Sequence, residues 1–196
     1  NERENIGDIL REVYESFASE FEEKDIEGSI EISNELPPSR LNRSKLFDAF
    51  YNLVKNACEA MPEGGSLTIK ARYDERTEEV RVEISDTGVG IPQEKQNQIF
   101  RPFFSTKSRG LGMGLANVKH IITAHRGKIS FESKEGVGTT FTLTGPGGAV
   151  TGTVAYDAET FTATFTPSDD LNNETTYTAT ILGTVTDEAG NQMGTD

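Results

Sequence analysis

The sequence predicts an α+β domain, helices on one face of a mixed sheet in a two-layer α/β sandwich, followed by a partial all-β segment. Three observations carry this expectation. Along residues 1–146, stretches with the 3.6-residue apolar period of helices are interleaved with stretches of period two. Residues 147–196 hold eight of the 32 acidic residues but none of the 19 Lys and Arg and neither His, which sets a boundary near the run TLTGPGG. That tail is also rich in threonine, in alternating runs such as ETFTATFTP, which is material for a β-sandwich. The expected domains are therefore 1–146 and 147–196, the second with three or four strands, roughly half a sandwich.

Each element follows from a local pattern. Ile6, Ile9, Leu10, Val13, Tyr14 and Phe17 recur at helical spacing. GSIEIS then alternates as a half-buried strand, and NELPPS is a proline-marked loop. From Ser44 onward, Leu46, Phe47, Phe50, Leu53, Val54, Ala57, Cys58 and Met61 keep one apolar face for about four turns before PEGG stops the helix. SLTIKARYD and EEVRVEISD alternate on either side of a short charged turn and read as a hairpin. A polar stretch then reaches Phe100, and a glycine-rich region extends to Gly114. Leu115, Val118, Ile121 and Ile122 begin a further helix closed by HRG, and KISFESK and GTTFTLT are the last strands of the domain. In the tail, AVTGTVAYD, ETFTATFTP and TYTATILGTV read as strands.

Composition excludes several functions. A formal net charge of −13 argues against general binding to nucleic acid or anionic membranes. Cys58 is the only cysteine, so no internal disulfide forms, in keeping with a reducing compartment. No apolar run approaches the roughly 18 residues needed to span a bilayer, and the polar start NERENIGDILREVYE is no secretory signal. The chain also opens without an initiator methionine, as expected of a piece cut from a longer protein.

Four stretches carry chemistry. Asn52 and Asn56 lie four apart on one helical face, where side-chain carbonyls suit a hydrated divalent cation shared with phosphates. Taken alone, such a pair is more often a solvated surface pair. DTGVGIP follows a strand: it is either a tight turn, or a floor where Gly88 and Gly90 let backbone approach a ligand while Asp86 accepts from an exocyclic amine. GLGMGLA, with Gly110, Gly112 and Gly114 just ahead of a helix, is either a connector or an anion cradle. It fits neither G-x-x-x-x-G-K-[ST] nor G-x-G-x-x-G. Lys107 and Arg109 precede it as cations within reach of phosphates. His120 and His125 read as surface or capping residues rather than a metal pair.

In that order the motifs resemble the ATP-binding catalytic domain of bacterial sensor histidine kinases, in the superfamily shared with gyrase, Hsp90 and MutL. NLVKNACEAMPEGG resembles the N box, DTGVGIP the first glycine box, IFRPFFSTK the F box, GLGMGLANVKHI the second glycine box and GTTFTL the closing strand. The resemblance spans roughly residues 6–143 and implies a Bergerat-type ATP-binding fold with ATP and Mg²⁺ as cofactors. It implies that Asn56 coordinates Mg²⁺ with Asn52 beside it near the phosphates. Asp86 would bind the adenine amine, supported by Gly88, Gly90 and, through water, Thr139. Lys107 would reach the terminal phosphates, and Gly110, Gly112, Gly114 and Leu115 would wrap them.

Two departures refine the expected reaction. ATPase members of the superfamily carry a glutamate where Asn52 stands, so no activator of water is evident here, and phosphoryl transfer fits better than hydrolysis. Neither His120 nor His125 has the context of a phosphoacceptor histidine, which in this family sits on a separate helical hairpin. The expected activity is therefore donation of the γ-phosphate to that domain in trans, with a response regulator engaged indirectly. A non-catalytic nucleotide-binding or self-association module is the rival reading. The tail resembles the second half of a bacterial Ig-like domain whose first strands are missing, as in an artificial or recombined chimera. Its half-sandwich invites self-association. The run TFTLTGPGG suits either family. A cytoplasmic location is expected.

Overall fold

A computed structural model describes residues 3–104, 112–146, 152–157 and 162–167. The chain divides into two compact units, Asn1–Ala149 and Val150–Asp196. The first contains β1 (Arg3–Glu4), α1 (Ile6–Ser16), α2 (Ala18–Glu23), β2 (Ile26–Ile32), β3 (Ser39–Arg40), α3 (Arg43–Ala60), β4 (Gly65–Asp74) and β5 (Glu79–Asp86). These are followed by α4 (Gln93–Gln96), α5 (Gly114–Ala124), β6 (Lys128–Lys134) and β7 (Gly138–Pro146).

Capping residues start α1 and α3. The Asn5 side chain accepts from the Gly7 N–H at 2.8 Å, and Asn42 accepts from Lys45 N–H at 3.1 Å. The first helix differs from its expected form. It stops at Phe17, whose φ of −101° and ψ of 1° leave the helical region, and α2 resumes at Ala18. After the break, Phe21 lies over Gly28 of β2, where a Cβ would come within 3.0 Å of the ring, and Phe17 and Phe21 are buried together. Within the NELPPS loop region, Ser39–Arg40 pairs with Arg3–Glu4 as a short ribbon.

The central sheet has the order β2-β4-β5-β7-β6, with β2 and β4 parallel and every other pair antiparallel. The expected β4–β5 hairpin runs from Asp74↔Glu79 to Leu67↔Asp86. Helices α1, α3 and α5 pack on one face through Ile9, Leu10, Phe50, Leu53, Val54 and Val118, all buried. This is the mixed α/β arrangement read from the sequence. Strand β7 stays in register with β5 as far as Glu79↔Pro146, so TFTLTGP belongs to this sheet.

Cys58 lies fully buried on the inner face of α3. Burial pushes its thiol up to about 11, with Glu20 adding to the effect. Two pH units above its ordinary value leave about a hundredfold less thiolate near neutrality. The folded chain should therefore resist Ellman's reagent and release one equivalent of thiol in denaturant; rapid labelling of the native chain would contradict this burial.

In the second unit, β8 (Gly152–Asp157) and β9 (Thr162–Pro167) form an antiparallel ribbon from Gly152↔Pro167 to Asp157↔Thr162. Thr153, Ala155, Thr164 and Thr166 are exposed on it. The strand expected at TYTATILGTV lies outside the described residues. No helix among the described residues is long and apolar enough to cross a membrane.

Candidate functional site

The site begins where the apolar rows of the sheet end. Across β4, β5, β7 and β6, one inner row is Ala71, Val82, Leu143 and Ile129, and the next is Ile69, Ile84, Phe141 and Phe131. Strand alternation carries the same face into a third row, Leu67, Asp86, Thr139 and Ser133. Three of those four positions are polar. At this end the core turns into a hydrogen-bonding surface.

Asp86 Oδ1 accepts from the Gly88 N–H at 2.9 Å and from the Thr139 N–H at 3.3 Å. Burial still dominates and holds the carboxyl above the usual carboxylate range, with those two N–H groups pulling it back down. Next to it, Ser133 Oγ lies 2.9 Å from Thr139 Oγ1 and accepts from the Ile91 N–H at 2.8 Å. The Gln96 amide bridges the Ile91 and Ser133 carbonyls at 2.9 and 3.1 Å.

The loop after β5 is pinned between the helix layer and the β6–β7 turn. Val89 N–H donates to the Ala60 carbonyl at 2.9 Å, one turn beyond Asn56, and Gly136 N–H donates to the Val89 carbonyl at 2.8 Å. Gly90 has a φ of 71°, and a Cβ there would strike the Lys134 carbonyl. Gly138, at φ 138°, brings its backbone against the Asp86 carbonyl, where a Cβ would collide.

Asn52 and Asn56 are both half-buried on α3. Asn52 Nδ2 donates back to the Asp48 carbonyl at 2.8 Å, which turns Oδ1 outward. A Cβ on Gly114 would sit 3.3 Å from that oxygen, so the start of α5 lies directly beside Asn52. Among the described residues the N-cap position of α5, Met113, makes no side-chain capping bond. Gly112 has a φ of 65° and abuts the backbone of Phe103 and Phe104, and Leu115 is half-buried. Lys107, Arg109 and Gly110 lie outside the described residues.

The histidines have other work. His125 Nδ1 bonds to the Ile121 carbonyl at 2.8 Å while Nε2 accepts from the Asn42 N–H at 3.1 Å, joining the end of α5 to the start of α3. His120 is exposed. Among the described residues no cluster of three or more His, Cys, Asp or Glu could cage a metal. The oxygen donors of Asn52 and Asn56 suit Mg²⁺ held largely by phosphates and water, so the residues fit that ion. Sequence reasoning missed Ser133, Gln96 and Gly138. The polar residues that break the apolar alternation of KISFESK and GTTFTLT were the available signal.

Residues 41–148 match the family model described as histidine kinase-, DNA gyrase B-, and HSP90-like ATPase. The chain belongs to this family. It is 33% identical over 147 residues to sporulation kinase E of Bacillus subtilis, an alignment covering 74% of this chain and 20% of that protein. The signal transduction histidine-protein kinase AtoS of Escherichia coli is 40% identical over 114 residues, 58% of this chain and 18% of that one. The chain thus spans about a fifth of the length of these relatives. Among solved structures, the nucleotide-free catalytic domain of histidine kinase ThkA superposes with a TM-score of 0.66 at 34% identity, covering 74% of this chain and 94% of that one. Full-length ShkA in complex with AMPPNP gives 0.66 at 28% identity, covering 74% and 30%. Residues 127–196 match the bacterial Ig-like domain model. The two matches overlap over β6 and β7, which in this histidine kinase-type ATPase domain are strands of the central sheet.

Proposed function

We propose that residues 1–146 bind Mg-ATP and donate its γ-phosphate to a histidine on a separate domain, and that residues 147–196 are a partial Ig-like segment. The observation that carries this reading is the polar third row of the sheet, Asp86, Thr139 and Ser133, facing a glycine loop pinned against α3. A planar base fits where backbone replaces side chains, with the Asp86 carboxylate accepting from its exocyclic amine and Thr139 reaching it through water. The start of α5, beside Asn52, would offer backbone N–H groups to the phosphates. Asn56, with Asn52, would hold Mg²⁺, which supplies charge neutralisation of the phosphates. Lys107, Gly110, Gly112, Gly114 and Leu115 complete the phosphate grip.

The site holds its nucleotide and leaves the attack to a partner. Asn52 has no basic oxygen with which to activate water. A ring nitrogen of the partner's histidine would form the new P–N bond as the bond from the γ-phosphorus to the bridging oxygen breaks and ADP leaves. That chemistry places the domain in two-component signalling, in the cytoplasm where ATP is available. The response regulator follows as the indirect partner: ThkA has been solved in complex with its regulator TrrA.

Calorimetric titration with a non-hydrolysable ATP analogue tests the reading. Micromolar affinity that needs Mg²⁺, and that Asn56→Ala weakens at least tenfold, is the expected result. With ATP and a cognate hairpin in trans, phosphohistidine should form on the hairpin and none on this chain alone. A second reading is self-association through the tail, whose open half-sandwich would pair with another copy. No binding, together with a mass that rises with concentration, would select it.

A further inference from the structure

The hydroxyl of Ser133 sits at a decision point in the candidate base pocket. One lone pair receives the Ile91 N–H at 2.8 Å. Its single proton has two acceptors in range, the Gly138 carbonyl at 3.1 Å and Thr139 Oγ1 at 2.9 Å. Thr139 is only 5% exposed and is the cross-strand neighbour of both Ser133 and Asp86. The two hydroxyls are therefore coupled. If Ser133 donates to Gly138, Thr139 spends its proton on Ser133 and offers only lone pairs elsewhere. If Ser133 donates to Thr139, the Thr139 proton is left for a ligand.

We infer that Ser133 is a specificity-determining positioning residue: by donating to Thr139 it makes that hydroxyl a donor beside the Asp86 acceptor. This rests on the nucleotide reading above. An acceptor next to a donor matches the adenine edge, an amine beside an unprotonated ring nitrogen. Thr139 donates to that nitrogen directly, or to one water whose two protons go to the nitrogen and to the Asp86 carboxylate. The guanine edge is the reverse, a carbonyl oxygen beside a ring N–H. It would set oxygen against the Asp86 carboxylate and a donor against the Thr139 proton. Ser133 touches no part of the base in this scheme and acts through Thr139.

A merely structural role for Ser133, pinning the glycine loop through Ile91, makes a different prediction. Gln96 pins the same loop through the Ile91 and Ser133 carbonyls without entering the hydroxyl pair. Gln96→Ala thus provides the structural comparison.

The test is titration of the full chain, with Mg²⁺, by non-hydrolysable ATP and GTP analogues. The unaltered chain should prefer the adenine nucleotide by about a hundredfold. Ser133→Ala should lower that ratio about tenfold, and Ser133→Thr, which keeps the hydroxyl on a strand that accepts β-branched residues, should restore it. Gln96→Ala should weaken both nucleotides alike and leave the ratio intact. An unchanged ratio in Ser133→Ala, or an equal fall in Gln96→Ala, would overturn the inference while the nucleotide site stands. Binding of neither nucleotide by the unaltered chain would remove both.

Discussion

Asp86→Asn will weaken ATP binding about a hundredfold while leaving the empty domain at least as stable at pH 7. The first effect follows from losing a charged acceptor, a hydrogen bond of about 1.5–3 kcal/mol. The second follows from the cost of keeping that charge. Burial holds the Asp86 carboxyl above the usual carboxylate range, so the folded chain retains a proton that the unfolded chain gives up first. Stability therefore falls as pH rises through the window between the ordinary and the raised value. An asparagine oxygen still accepts from the Gly88 and Thr139 N–H groups and carries no such cost. Thermal melts should show the variant matching the unaltered chain at acid pH and equalling or exceeding it at pH 7. In the unaltered chain, ATP affinity should decline as pH drops into the raised range, since a protonated carboxyl is a poorer acceptor. A variant that melts well below the original at pH 7 would make Asp86 a structural residue rather than a binding one.

Gly90→Ala is expected to cost about 3 kcal/mol of stability and at least tenfold in ATP affinity. Its φ of 71° is unfavourable for alanine, and the added methyl meets the Lys134 carbonyl. The loop has nowhere to retreat. Val89 is tied to Ala60, Gly136 to Val89, and Ile91 to Ser133. Gly136→Ala is the comparison: its φ of 74° imposes the same backbone penalty, but a Cβ there meets nothing within 4 Å. That variant should lose about 1 kcal/mol and keep its affinity. Melting and titration of both variants separate the effects. Equal losses would mean that only backbone conformation matters and that the close approach at Gly90 is unimportant.

Much of this domain is legible in its local sequence patterns. The period of Leu46, Phe50, Leu53, Val54 and Ala57 marks α3, and two alternating runs around a charged turn mark the β4–β5 hairpin, because both signals are local. Where local signals compete, packing decides. The helix expected to run through Phe17 breaks there, and the cost of the break is offset by seating Phe21 over Gly28 with Phe17 buried beside it. Gly114, which local pattern places at the end of a loop, is the first residue of α5.

By itself the sequence determined the kind and order of the longer elements, the change of composition near residue 147, and the glycine and asparagine motifs that mark the family. Tertiary structure alone decided that β7 enters between β5 and β6. It also decided the register that sets Asp86 beside Thr139, 53 residues away, and Thr139 beside Ser133. The physical reason is the range of the information. A period of two tells which face a side chain takes, but neighbours across a sheet are chosen by packing and by the entropy of closing long loops, which no short stretch encodes. A site made of one residue from each of three strands is written in that register.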